Sequence, residues 1–283
     1  MSRRGKRVLA MLVIIIILIT IVVGANIFVR NQKIDRLDIS ISYGISDTII
    51  RNETIRKELE DKFGKFTLKE RKDVEAKDIE GFLMNKPYVE KADVFQTLKG
   101  ILKIEIIQRQ PVLRVCTHKQ KQFYIDREGK IIEIKSDQAT DVIVASGYID
   151  INATMLKKGI IETISINDKK GLDKTLANVF LIAQRLQNDS ILNYQIDQIY
   201  INKNGSFELI PKIGNYIIKI DEEVDLETQL VKLSYLYKES FTRIGWDNYS
   251  VVDLRYRNQV VCTKKSHEIP QDEAKTTIII NKE

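Results

Sequence analysis

Three hydrophobic periodicities succeed one another along this chain. From Val8 to Val29 no position is charged and apolar residues fall on every side. At about 1.5 Å per residue that run is roughly 33 Å long, enough for a bilayer core of about 30 Å. A soluble surface helix would keep a polar face, which this run lacks. Val23-Gly24-Ala25 resembles a small-residue cleavage site, but signal-peptide apolar cores usually span only about 7–15 residues, so the run is expected to stay as an anchor.

Past the apolar run, period two and period 3.6 alternate. "RLDISISY" places Leu37, Ile39, Ile41 and Tyr43 on one side of a strand. "RNETIRKELEDKFG" spaces Ile55 and Leu59 by one helical turn, with Asn52 expected as N-cap and Gly64 as the stop. "KDVEAKDIEGFLMNK" repeats this with Val74, Ile79, Phe82 and Leu83, with Asp73 or a neighbour as its cap. Strand patterns return at Val89, Ala92 and Val94 and at Leu102, Ile104 and Ile106, with a hinge near Thr97–Gly100. The order is β-α-α-β-β in about 75 residues.

The second half is strand-rich. "FYIDREGKII" predicts a hairpin turning near Gly129, and "DVIVASG" a further strand. "LDKTLANVFLIAQRLQND" predicts an amphipathic helix burying Leu176, Val179, Phe180, Ala183 and Leu186. Strands are expected at Tyr194–Ile201, Ser206–Ile210 and Tyr216–Ile220, with Asn204-Gly205 as a turn. "DLETQLVKLSYLYKES" predicts a second amphipathic helix. Then "YSVVDLRYRNQVVCTKK" places two β-prone runs around Arg257–Asn258.

Several of these phrases resemble the FtsQ/DivIB cell-division family. Pro87-Tyr88-Val89-Glu90-Lys91-Ala92-Asp93-Val94 is similar to the family's P-W/Y-V-x-x-A-x-V. Leu102 to Val112 is similar to L-x-I-x-V-x-E-R-x-P-V, with Gln108 where Glu is usual. Ile125-Asp126 with Gly129 resembles V-D-x-x-G-x-V, and Asp253-Leu254-Arg255-Tyr256 resembles D-L-R-Y. Residues 141–147 resemble L-P-x-I-x-G without its proline.

The resemblance implies an α+β fold: a transmembrane helix, a β-α-α-β-β POTRA domain, then a larger mixed α/β domain with an antiparallel-rich sheet. The expected boundaries are a cytoplasmic tail at 1–7, the membrane helix at 8–29, the POTRA domain at 36–111, an FtsQ-type β domain at 112–264 and a flexible tail at 265–283. It further implies a non-catalytic divisome scaffold with FtsB- and FtsL-like partners, linked to septal peptidoglycan synthesis. The POTRA module and the membrane-proximal part would help recruit the chain to the septum. An envelope-anchored enzyme acting on peptidoglycan and a POTRA-bearing transport component are the competing classes.

Charge bears on orientation and excludes one class of partner. Four of the 45 basic residues and none of the 39 acidic ones precede residue 30, leaving 41 against 39 beyond it. So small an excess is no footprint for nucleic acid. Arg3, Arg4, Lys6 and Arg7 instead predict a cytoplasmic N-terminus, with the bulk of the chain in the periplasm.

Candidate chemistry is sparse. The two histidines, His118 and His267, stand apart from any metal-ligand spacing, and Lys169-Lys170-Gly171 reads as a charged turn. No Gly-x-Ser-x-Gly, P-loop or His-Glu-x-x-His occurs, so neither an enzyme nor a cofactor is expected. Cys116 and Cys262 permit a disulfide but read more simply as two small buried thiols.

The remaining candidate site is a sheet edge. Asp253 and Arg255, two apart, share a strand face and suggest a mutual ion pair or a contact to a partner; Leu254 and Tyr256 would occupy the other face. The run from Asn258 to Lys264 lacks proline and glycine, so an unpaired edge there would accept an incoming strand. Arg255, Tyr256, Asn258, Val260, Val261 and Thr263 are the expected partner-binding residues, with Tyr256 as anchor. The rival expectation is that "KTTIIIN" folds back and covers that edge itself.

Overall fold

The computed structural model describes residues 3–44, 49–133, 140–151, 159, 172–221, 225–265 and 275–279. Lys169-Lys170-Gly171 and His267 lie outside the described residues.

Helix α1, Arg3–Arg30, carries the apolar run; from Met11 onward its side chains are exposed apart from Val29, and its length and composition suit a membrane span. The chain falls into two compact units that divide near Arg109–Gln110.

The first unit is a three-stranded sheet backed by two helices. Strands β1 (Arg36–Ser42), β2 (Val89–Gln96) and β3 (Ile101–Gln108) lie in the order β1-β3-β2, with β1 parallel and β2 antiparallel to β3. Helices α2 (Asn52–Phe63) and α3 (Ala76–Met84) contribute the buried Ile55, Leu59, Ile79 and Leu83. Asn52 is the first helical residue and not the cap, and neither helix has a side-chain cap; Gly64 closes α2 with φ 75°, its N–H donating to the Glu60 carbonyl. The uneven spacing of Val89, Ala92 and Val94 has a structural cause. The register shifts between Val89 and Lys91, and this irregularity keeps all three buried. Gln108 is fully buried, and its Oε1 accepts from the backbone N–H groups of Ile49 and Ile50 at 2.8 and 3.2 Å. A glutamine thus supplies the acceptor oxygen that a glutamate would.

The second unit is built on one ten-stranded sheet. Its strands are β4 (Pro111–Cys116), β5 (Gln122–Asp126), β6 (Ile131–Glu133), β7 (Ile143–Gly147), β8 (Ile196–Ile201), β9 (Phe207–Pro211), β10 (Ile217–Ile220), β11 (Tyr249–Asp253), β12 (Gln259–Lys264) and β13 (Lys275–Ile279). They lie in the order β13-β12-β11-β10-β9-β8-β7-β4-β5-β6. The pairs β4–β7, β7–β8 and β10–β11 are parallel and the rest antiparallel.

Two of the parallel joins are crossovers through helices: α4 (Leu172–Asn188) between β7 and β8, and α5 (Leu226–Tyr235) between β10 and β11. Both helices bury apolar residues in one core with the sheet; Leu176, Phe180, Ala183 and Leu233 share it with Ile199, Leu209, Ile218, Val252 and Val260. Gly147 sits at φ 95°, where an added Cβ would meet the Ile201 carbonyl oxygen at 2.3 Å, so this β7–β8 approach requires glycine.

Candidate partner-binding edge

The β11–β12 hairpin is held from below by a buried lysine. Lys232 on α5 donates to the carbonyl oxygens of Leu254 at 2.8 Å and Tyr256 at 2.5 Å. Burial lowers its pKa, opposed by the charge of Asp253. The two carbonyls lie in the five-residue connection between the strands, so the ammonium fixes the backbone where the chain leaves the core. Nothing in the spacing of "LVKLSY" marks Lys232 for this; a charge on the apolar side of an amphipathic helix was the only available signal.

Above it, Asp253 and Arg255 form the ion pair that their spacing suggests. Arg255 donates from Nε and Nη2 to the two carboxylate oxygens at 2.8 and 2.6 Å, and its backbone N–H reaches Asp253 Oδ1 at 3.2 Å. Burial raises the acid's pKa, but the Arg255 hydrogen bonds and charge outweigh it and leave the carboxyl below its usual range.

The expectation that Leu254 and Tyr256 share the strand face opposite Asp253 and Arg255 does not hold. β11 ends at Asp253, and strand alternation ends with it. Leu254 is fully buried, whereas Tyr256 is 48 % exposed in the turn. Arg255, Arg257 and Asn258 are also exposed. Val260 has a fully buried side chain in the core, so it cannot serve as a side-chain contact; Val261 and Thr263 are half-buried on the opposite face of the sheet.

β12 is not the outermost strand. Lys275–Ile279 pairs with it antiparallel, placing Ile279, Ile278, Thr277, Thr276 and Lys275 opposite Gln259, Val260, Val261, Cys262 and Thr263. The free edge expected at β12 is therefore covered, and the tail expected to be flexible contributes a strand. The physical reason is the one that made the edge attractive: a β-prone strand leaves a row of N–H and C=O groups, and a nearby β-prone run satisfies them.

The open face beside this hairpin carries Tyr200, Glu208, Lys219 and Arg255 along a cavity of about 610 Å³. Among the described residues no cluster of His, Cys, Asp or Glu is placed to hold a metal ion. His118 is stacked on Tyr148, ring centroids 5.5 Å apart, and its Nδ1 lies 3.2 Å from the Ile149 carbonyl.

Cys116 and Cys262 are both free. They belong to β4 and β12, with five strands between them, and neighbouring strands lie about 4.8 Å apart, so their Cα atoms are far beyond disulfide reach.

The fold thus comprises an N-terminal helix long and apolar enough to cross a membrane, a β-α-α-β-β module and a mixed-sheet domain. The sequence model of the POTRA-like domain matches residues 32–107, and that of FtsQ/DivIB, C-terminal related, matches residues 110–263. The second match alone covers more than half of the chain, and the chain belongs to the FtsQ/DivIB family, a family of non-enzymatic cell-division scaffolds. No curated protein matches the chain.

Proposed function

We propose that this chain is a membrane-anchored divisome assembly scaffold. It holds its N-terminus in the cytoplasm and its two folded units in the periplasm, at the division septum. It binds FtsB- and FtsL-like proteins by strand addition at the β12–β13 end of the large sheet, and so couples cytoplasmic division proteins to septal peptidoglycan synthesis. The basic cluster Arg3, Arg4, Lys6 and Arg7 ahead of the apolar helix supports the orientation.

The observation that carries the binding mode is the pairing of Lys275–Ile279 with Gln259–Thr263. An extended segment of the chain itself pairs there, antiparallel and over five residue pairs, which supports this end of the sheet as a place for strand addition. Backbone hydrogen bonds supply affinity in such addition, and alternate side chains supply choice of partner. Tyr256, Arg255 and Asn258 stand exposed beside it, where an aromatic at a half-open site can anchor a partner.

The test is affinity capture with the full anchored chain in detergent, followed by identification of what it holds. Recovery of single-pass division proteins supports the reading. Recovery of none, from cells in which such proteins are present, overturns it.

A further inference from the structure

Helix α1 and the rest of the first unit are joined without slack. Helical hydrogen bonds continue past Arg30: the Asn31 N–H donates to the Ile27 carbonyl and the Gln32 N–H to that of Val29. At about 1.5 Å per residue Gln32 lies only about 3 Å beyond Arg30 along the axis, within a headgroup layer roughly 5–8 Å deep on each side of a bilayer. The folded unit begins at that depth. The Gln32 carbonyl accepts from the Arg71 N–H at 2.9 Å, and Lys72 Nζ donates to Asn31 Oδ1 at 3.1 Å. The Ile34 N–H donates to the Lys69 carbonyl at 3.1 Å and the Asp35 N–H to that of Gly100 at 2.9 Å. Ile34 itself is buried.

Strand direction decides what else sits at this end. β1 starts at Arg36, next to α1, and β3 runs parallel to it with Ile101 opposite Arg36. The turn 97–100, which leads into β3, therefore projects from the α1 end of the sheet. It carries Leu98, 90 % exposed, and the exposed Lys99. The short helical turn Phe66–Leu68, which precedes Lys69, carries Leu68, 71 % exposed. Among the described residues of the first unit beyond α1, these two are the most exposed large apolar side chains. The tip is held in place from inside. The buried Arg71 donates from Nη1 and Nη2 to the Leu98 and Thr97 carbonyls at 3.4 and 2.6 Å, and from Nε to Gln96 Oε1 at 3.2 Å. Arg30, Lys33 and Lys72 are exposed at the same end, with Asp35, Glu70 and Asp73 as the acids beside them.

Resting on the membrane-anchor reading above, we infer that the first unit stands on the lipid surface at two further points, Leu98 and Leu68. Both leucines dip into the acyl boundary, and Lys99 with the neighbouring cations meets lipid phosphates. A long cationic side chain lays its stem along such a boundary and keeps its head at phosphate depth. For an exposed leucine fixed beside a membrane span, the bilayer is the nearest apolar phase. With α1 as the third point, the unit cannot turn freely about its anchor.

The test reconstitutes the full anchored chain in vesicles of phosphatidylcholine and phosphatidylglycerol with brominated acyl chains, which quench tryptophan. Trp246→Phe removes the single native tryptophan, so that an introduced one reports alone. Leu98→Trp and Leu68→Trp should each lose about half of their fluorescence relative to unbrominated vesicles, as for side chains at the acyl boundary. Met84→Trp should lose none, because α3 ends there just before β2 starts at the opposite end of the sheet. In the Leu98→Trp chain, Lys99→Glu should reduce the loss in vesicles containing phosphatidylglycerol and leave it unchanged in phosphatidylcholine alone.

Circular dichroism confirms folding, and either leucine position alone suffices for the reading. A folded chain that floats with the vesicles but shows no quenching at 98 or 68 overturns the inference and leaves the anchor standing. A chain that does not float overturns the anchor reading instead. Equal quenching at 84 and 98 would overturn the placement of the turn at the membrane end. An unchanged loss with Lys99→Glu in anionic vesicles would overturn the phosphate contact.

Discussion

Thr277 stands directly opposite Val261, on the side of β12 away from Asp253, so Val261 has a strand neighbour on both flanks. A proline at 261 removes a backbone donor from the interior of the sheet, not from its rim. Val261→Pro is therefore expected to destabilise the second unit, by ~1–3 kcal/mol for one backbone partner left unpaired. A lower melting temperature for this variant, with the first unit unaffected, checks it. Unchanged melting would mean that β12 is not embedded between two neighbours.

Val94 lies opposite Ile104 in the first unit, and both are buried. Val94→Asp buries a carboxylate with no cation opposite it in the strand pair, which should cost ~3–5 kcal/mol, as for other uncompensated buried charges. Circular dichroism should show the first unit unfolded or melting far below the parent. Lys91→Ala, which removes an exposed partner of Asp93, should leave the melting temperature essentially unchanged.

The Asp253–Arg255 pair predicts a specific acid dependence. Because the folded carboxyl titrates below its unfolded value of about 3.9, its contribution to stability is complete above that pH and is lost as pH falls through the folded value. Arg255→Ala should thus unfold at a higher acid midpoint than the parent. At neutral pH the difference should be about 1 kcal/mol or less, since the arginine is partly exposed. Denaturant titrations at pH 7 and pH 3 read both effects; a gap that widens on acidification would contradict the assignment.

Cys262 is fully buried, and desolvation pushes its thiol up to about 11, while Cys116 is partly exposed. Since the thiolate is the reactive form, alkylation of the native chain at pH 8 should modify Cys116 first. Mass spectrometry of peptides after short labelling decides this, and equal rates would refute the burial of β12's inner face.

Much of the fold was legible because burial is periodic. Ile55 and Leu59, or Leu176 and Phe180, announce a helix whatever the helix packs on. Leu102, Ile104 and Ile106 likewise announce a strand. Strand order was less legible. Alternation in "QVVCTK" and the run "TTIII" marks two strands, but their pairing depends on where the intervening residues let the tail return. At strand ends the alternation itself fails: Leu254 and Tyr256 share a predicted face, yet β11 ends at Asp253 and the turn that follows buries the first and exposes the second. The candidate site was visible as a phrase, Asp253 to Tyr256, whereas the lysine beneath it and the strand beside it belong to the tertiary structure.

The central claim is that division partners dock at the β12–β13 end of the second unit. The most direct measurement is photocrosslinking in intact membranes, with a photoreactive amino acid in place of Tyr256, which is exposed beside that edge, or of Leu98, which is 90 % exposed in the first unit. Adducts with single-pass division proteins are predicted from position 256. Adducts from position 98 alone, or none from position 256 in dividing cells, would contradict the account.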